Sequence, residues 1–212
     1  MILLYSKFEN LEQEKKETIL AACLDEFAQY GYQNSSTNRI VKKAEISKGL
    51  LFHYFGSKRL LYLYILDYVL AYYLKKIYQR LDGLPRDFFE RVMEIGLIKL
   101  EIAYQEPAIY KIIIDAFIYK PAELEQEINE RYKKIYEANK PLLVQNLDTS
   151  RFRDDIDQEK AMELILFAME GVSNKYLDLF KNMSYDEIMR KMDTIIREYQ
   201  DYMEILKYGV YR

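Results

Sequence analysis

The chain has 212 residues, half of them apolar, with a formal net charge of −3, seven glycines, four prolines and one cysteine. That apolar content suffices for a sizeable core and excludes a disordered chain, while a single cysteine excludes an intrachain disulfide or a thiolate metal cluster. No basic-then-apolar leader is read, and the longest apolar run, 60–74, contains Asp67 and is shorter than the roughly 18 to 20 residues of a membrane helix, so a soluble cytoplasmic chain without a membrane partner is expected.

Scarce Gly and Pro favour long helices over short strands. The first helix is predicted over 9–30, where Ile19, Cys23 and Phe27, flanked by Leu20 and Leu24, recur at spacings of three and four. Gly31 provides the left-handed stop and Tyr32 folds back over the last turn. Ser35 and Ser36 offer side-chain oxygens to the free N–H groups of a second helix, whose Ile40, Val41 and Ala44 face inward. After the turn Ala44-Glu45-Ile46, Ser47 caps a third helix with Leu50 and Leu51 packed inward. The helix predicted over 58–80 is apolar or aromatic on nearly every side and therefore must be surrounded by protein.

Beyond the loop Asp82-Gly83-Leu84-Pro85, helices are predicted over 85–104, 107–119 and 121–147, each opening on a proline. Pro141 is expected to kink or split the third. A loop over 148–155 leads to a helix over 157–181, and Ser184 with Glu187 forms a capping box for a last helix reaching about residue 208. The expected fold is all-α, with about nine helices, no strand and no repeat. Its expected division is 1–57 and 58–212, with the helix from Lys58 linking the two.

The stretch 37–59 holds Arg39, Lys42, Lys43, Lys48, Lys58 and Arg59 against one acid, Glu45. Positive charge concentrated on a short helix-turn-helix of an acidic chain is the electrostatic footprint of a DNA reader. Such a unit lays its second helix in the major groove. At the start of that helix, the Ser47 hydroxyl suits a phosphate oxygen, Lys48 reaches a phosphate or a guanine edge, and Gly49 permits close backbone approach. His53 and Tyr54 lie one turn on and offer hydrogen bonds to the far strand, and Lys58 adds a phosphate contact. His53 is the only histidine, so no metal site is expected, and no cofactor is implied.

The segment 19–66 resembles the N-terminal DNA-binding domain of TetR-family transcriptional regulators. The resemblance rests on Gly31-Tyr32, Ser35-Ser36-Thr37, Ile40-Val41, Ile46-Ser47-Lys48-Gly49, Phe52-His53-Tyr54-Phe55 and Lys58. It implies DNA contacts at Ser36, Thr37, Asn38, Ser47, Lys48, Gly49, His53, Tyr54 and Lys58. Two positions depart from the family pattern: Glu45 stands where Gly is frequent, and Phe52 where Tyr is.

By the same resemblance, 58–212 is a helical ligand-binding and dimerisation domain. Tyr104, Tyr110, Phe117, Phe167 and Met169 are its candidate pocket residues, each with core packing as the alternative. The 21 tyrosines pose the same choice between half-buried helix surface and cavity lining. Asp115 either meets a cationic ligand or pairs with Lys111 four residues before it. Gly171, Met189, Met192, Ile196, Tyr199 and Met203 form a candidate dimer face; the alternative is packing within the chain. A homodimer would present two recognition helices to a palindromic double-stranded operator. The resemblance thus implies a ligand-responsive regulator, by family habit a repressor, released by a small apolar or aromatic inducer. The competing reading is a helical carrier or interaction module that keeps the fold without reading DNA. No nucleophile–base pair or phosphate loop supports an enzyme.

Overall fold

Apolar residues spaced by three and four build helices throughout, and the computed structural model, which describes residues 5–81 and 83–212, contains ten α-helices and no named strand among those residues. They are α1 (Ser6–Glu9), α2 (Gln13–Asn34), α3 (Thr37–Lys43), α4 (Lys48–Phe55), α5 (Lys58–Tyr78), α6 (Phe88–Gln105), α7 (Pro107–Ile114), α8 (Glu125–Val144), α9 (Gln158–Phe180) and α10 (Tyr185–Val210). A π-helical turn, Asp115–Tyr119, continues α7, and a 3-10 turn, Ala122–Leu124, precedes α8. The chain divides into two compact units, one formed by Met1–Gln79 with Glu101–Glu130, the other by Arg80–Leu100 with Arg131–Arg212. The chain crosses between them after Gln79, again inside α6 and again inside α8.

In the first unit α2 packs on α3, α5 and α7, and α4 is held between α3, α5 and α1. Its core joins Ile19, Cys23 and Phe27 of α2 to Ile40, Leu51, Phe55, Leu61, Tyr62 and Ile65. Each large apolar side chain so buried contributes about 1.5–3 kcal/mol. Gly31 does not end the first helix as expected. It adopts φ 62° and ψ −178°, a kink after which one more turn runs to Asn34.

Asp115 takes partners other than Lys111. Its Oδ2 accepts hydrogen bonds from the Tyr62 hydroxyl (2.7 Å) and the Tyr32 backbone N–H (3.0 Å). Burial raises its carboxyl above the usual range, and these two donors act in the opposite sense.

In the second unit Phe88, Phe89, Val92, Phe152, Ala161, Ile165, Met203 and Tyr211 form one core. Helix α6 starts at Phe88 rather than at Pro85 because Asp87 caps it, its Oδ1 accepting from the N–H groups of Phe89 and Glu90. Buried Arg91 donates to the carbonyls of Pro85, Leu142 and Gln145, and so satisfies the C-terminal end of α8. Pro141 does not split α8. It and Glu137, whose carbonyl loses its helical partner, both lie on the exposed side, so the freed carbonyl is not shut away from solvent. The expected capping box at Ser184 and Glu187 is present, and Asp157 caps α9. An antiparallel bridge, Phe152 to Tyr211, ties the end of α10 to the loop between α8 and α9. The expected break at 82–85 is described only from Gly83 on, since Asp82 lies outside the described residues.

Candidate nucleic-acid interface

The helix-turn-helix is α3, the turn Ala44-Glu45-Ile46, and α4. Glu45 takes the left-handed backbone (φ 52°) that glycine would adopt more cheaply, at a cost of about 1–2 kcal/mol. The turn closes through the Ile46 N–H, which donates to the Val41 carbonyl at 3.1 Å. Ser47 caps α4 as expected, its Oγ accepting from the Leu50 N–H at 3.1 Å. Helix α4 then sorts its residues by face. Leu51, Tyr54 and Phe55 are buried, while Ser47, Lys48, Gly49 and His53 are exposed.

Gly49 has no packing role. A Cβ built there would meet nothing nearer than Ser47 Oγ at 3.9 Å, and its φ is not in the left-handed region. The fold accepts alanine at this position, and alanine is the better helix former.

The structure changes the accounting of charge. Arg39 is held by the buried carboxylate of Glu26, with Nη2 at 2.6 Å from Oε1, and its guanidinium lies over the Tyr30 ring. Lys43 pairs with Asp25, and Arg59 with Glu127. Lys58 donates to the Gln33 carbonyl at 3.2 Å above the ring of Tyr32, and burial pulls its ammonium below the ordinary range. Lys42 and Lys48 are exposed and have no carboxylate partner among the described residues. The positive surface is therefore narrower than the six cations of the sequence suggest.

Thr37 and Asn38 stand at the opening of α3, Asn38 exposed and Thr37 partly so. The expected caps are absent. Ser36 makes no side-chain cap, and buried Ser35 donates its hydroxyl to the Tyr32 carbonyl. Glu26 takes over, accepting the Ser36 N–H at 2.6 Å. An acid among Ala22, Cys23 and Phe27 on one face of α2 was the available signal for this role.

Tyr54 also departs from expectation. It is 8 % exposed, with its ring against Phe8 and Phe55, so it belongs chiefly to the core. Phe8 was not anticipated at all. It comes from α1, is fully buried, and packs on Tyr54, Phe55 and Tyr64 beneath the recognition helix. Tyr5 fastens the same segment by donating to the Leu60 carbonyl at 3.3 Å.

The candidate pocket residues fall into both units. Tyr104 is exposed, and Tyr110 and Phe117 are partly buried, all in the first. In the second, Phe167 is exposed, whereas Met169 packs on the core that includes Phe88 and Met203. The candidate dimer stripe is largely used within the chain. Met192 and Met203 are buried, Tyr199 packs on the same core, and Met189 and Ile196 are partly covered. The stripe on α10 is thus in large part the face that closes its own unit. Gly171 is exposed with open space around it, and the most exposed large apolar side chains of α9 and α10 are Leu164 (66 %), Phe167 (59 %), Ile205 (68 %) and Tyr208 (81 %).

Residues 19–65 match the family model of bacterial regulatory proteins of the tetR family, and residues 86–211 match that of the tetracyclin repressor-like C-terminal domain. The chain belongs to the TetR family. The first of these models spans the helix-turn-helix of α3 and α4. The HTH-type transcriptional regulator YuxN of Bacillus subtilis is 25 % identical over 200 residues, which cover 87 % of this chain and 64 % of YuxN. RutR of Escherichia coli K12 is 34 % identical over 95 residues, covering 44 % of this chain and 43 % of RutR. The chain thus spans less than two thirds of the length of these relatives. A transcriptional regulator from Pseudomonas aeruginosa shares the fold with a TM-score of 0.63 at 15 % identity, over 96 % of this chain and 95 % of that one. No helix among the described residues is long and apolar enough to cross a membrane.

Proposed function

We propose that this TetR-family regulator is a cytoplasmic homodimeric repressor that reads a palindromic operator with α4 and leaves it when a small apolar or aromatic inducer binds. The observation that carries the DNA reading is the first turn of α4. Ser47, Lys48 and Gly49 are all exposed, and the glycine has no structural reason to be there. Bare backbone beside an exposed lysine and a hydroxyl suits close approach to phosphates, with His53 one turn on. Thr37 and Asn38 flank this surface from α3, and Lys58 contributes a cation already anchored to the frame.

The dimer reading is supported by the exposed apolar side chains of α9 and α10. Leu164 and Phe167 on one helix and Ile205 and Tyr208 on the other suit burial against a second copy, with Gly171 allowing close approach. For the inducer, partly buried Tyr110 and Phe117 stay as candidate lining.

Selection of duplexes from a random pool, followed by anisotropy titration at two salt concentrations, tests the proposal. It requires a recovered inverted repeat, tight binding that weakens steeply with salt, and poor binding of a scrambled duplex. Equal binding of both duplexes would leave a helical carrier or interaction module instead.

A further inference from the structure

The π turn after α7 places Asp115 against the entrance to the helix-turn-helix, 83 residues away in sequence. Its Oδ2 takes the Tyr32 N–H at the kink of α2 and the hydroxyl of fully buried Tyr62 on α5. Its Oδ1 occupies the space beside Gly31, where a Cβ would lie only 2.4 Å away. The missing Cβ of Gly31 thus leaves a bare face, and the carboxylate fills it. Two further acids from the same stretch grip the same frame: Glu123 faces the Tyr32 hydroxyl, whose pKa is pushed up to about 12, chiefly by burial, and Glu127 pairs with Arg59 at the start of α5.

The geometry assigns to Asp115 the role of positioning residue for DNA reading, the pin by which α7 and its π turn hold the α2–α3 junction in register with α5. The junction leads directly into α3 and hence to α4. Loss of that one oxygen would leave two donors without a partner at the kink of α2 and loosen the junction that sets the start of α3. The inference rests on the DNA-reading proposal above.

Two variants test it: Asp115→Ala, which removes both bonds, and Tyr62→Phe, which removes one hydroxyl and keeps the ring. The control is Tyr72→Phe, which deletes a comparable tyrosine–carboxylate bond from α5 to Glu106 (2.6 Å) away from the junction. Amide exchange over residues 31–38 is measured without DNA, and affinity for the selected duplex is measured well below the melting temperature. Exchange at the junction should quicken about tenfold in Asp115→Ala and by less in Tyr62→Phe, with affinity falling in the same order. Tyr72→Phe should change neither. Unchanged junction exchange in Asp115→Ala, or an equal effect of Tyr72→Phe, would overturn the assignment. If Asp115→Ala does not fold, unchanged exchange and affinity in Tyr62→Phe overturn it alone. Faster exchange with no duplex recovered by the wild-type protein would instead place the failure in the DNA-reading proposal.

Discussion

The exposed face of α4 and the exposed face of α9 and α10 are built on opposite principles. On α4 the side chains left outside are Ser47, Lys48, Gly49 and His53, small or polar, while Leu51, Tyr54 and Phe55 are buried. On α9 and α10 the core is already closed by Ile165, Met192 and Met203, yet Leu164, Phe167, Ile205 and Tyr208 remain outside. A surface that meets phosphates gains from donors and bare backbone, whereas one that meets protein gains from apolar area. One chain therefore carries two exposed faces of different chemistry.

The largest expected effect comes from removing what supports the first face. Phe8→Ala should cost about 3–5 kcal/mol by opening a cavity beneath α4, read as a lower midpoint in urea. If the loss is below 1 kcal/mol, α1 does not support the recognition helix. The second face is tested by Phe167→Asp with Ile205→Asp. Both residues are exposed, so the protomer should stay folded while sedimentation shows a monomer. Operator affinity should then drop on the order of a hundredfold, as bivalent binding is lost. An unchanged dimer would move the interface elsewhere.

Gly49→Ala gives the smallest and sharpest test. It should raise stability by about 0.5–1 kcal/mol, since alanine relieves the helix of glycine's entropy, and should weaken operator binding. Stability and affinity that rise together would mean that the bare backbone serves no DNA contact.

What could be read from the sequence was what depends on short spacings. Ser47 capping α4 and the capping box of Ser184 with Glu187 both follow from residues within four positions of one another. The helix-turn-helix was legible for the same reason. Long-range pairings were not. Glu26 replaces the expected serine caps because a carboxylate on α2 reaches the Ser36 N–H and Arg39 across a helix crossing. Asp115 seemed to have Lys111 as its natural partner, but its oxygens go to Tyr62 and to the Tyr32 backbone. On α10, spacing alone identified an apolar stripe without saying which of its neighbours would cover it. The burial of Met192 and Met203 assigns much of that stripe to the protomer's own core.

The account turns on whether the first turn of α4 touches DNA, and Lys48 is its exposed cation, with no carboxylate partner among the described residues. The most direct measurement is the salt dependence of affinity for the selected duplex, wild type against Lys48→Ala. The account predicts weaker binding by the variant and a log–log slope shallower by about 0.9, the loss of one phosphate contact. Superimposed curves for a folded, dimeric variant would contradict it.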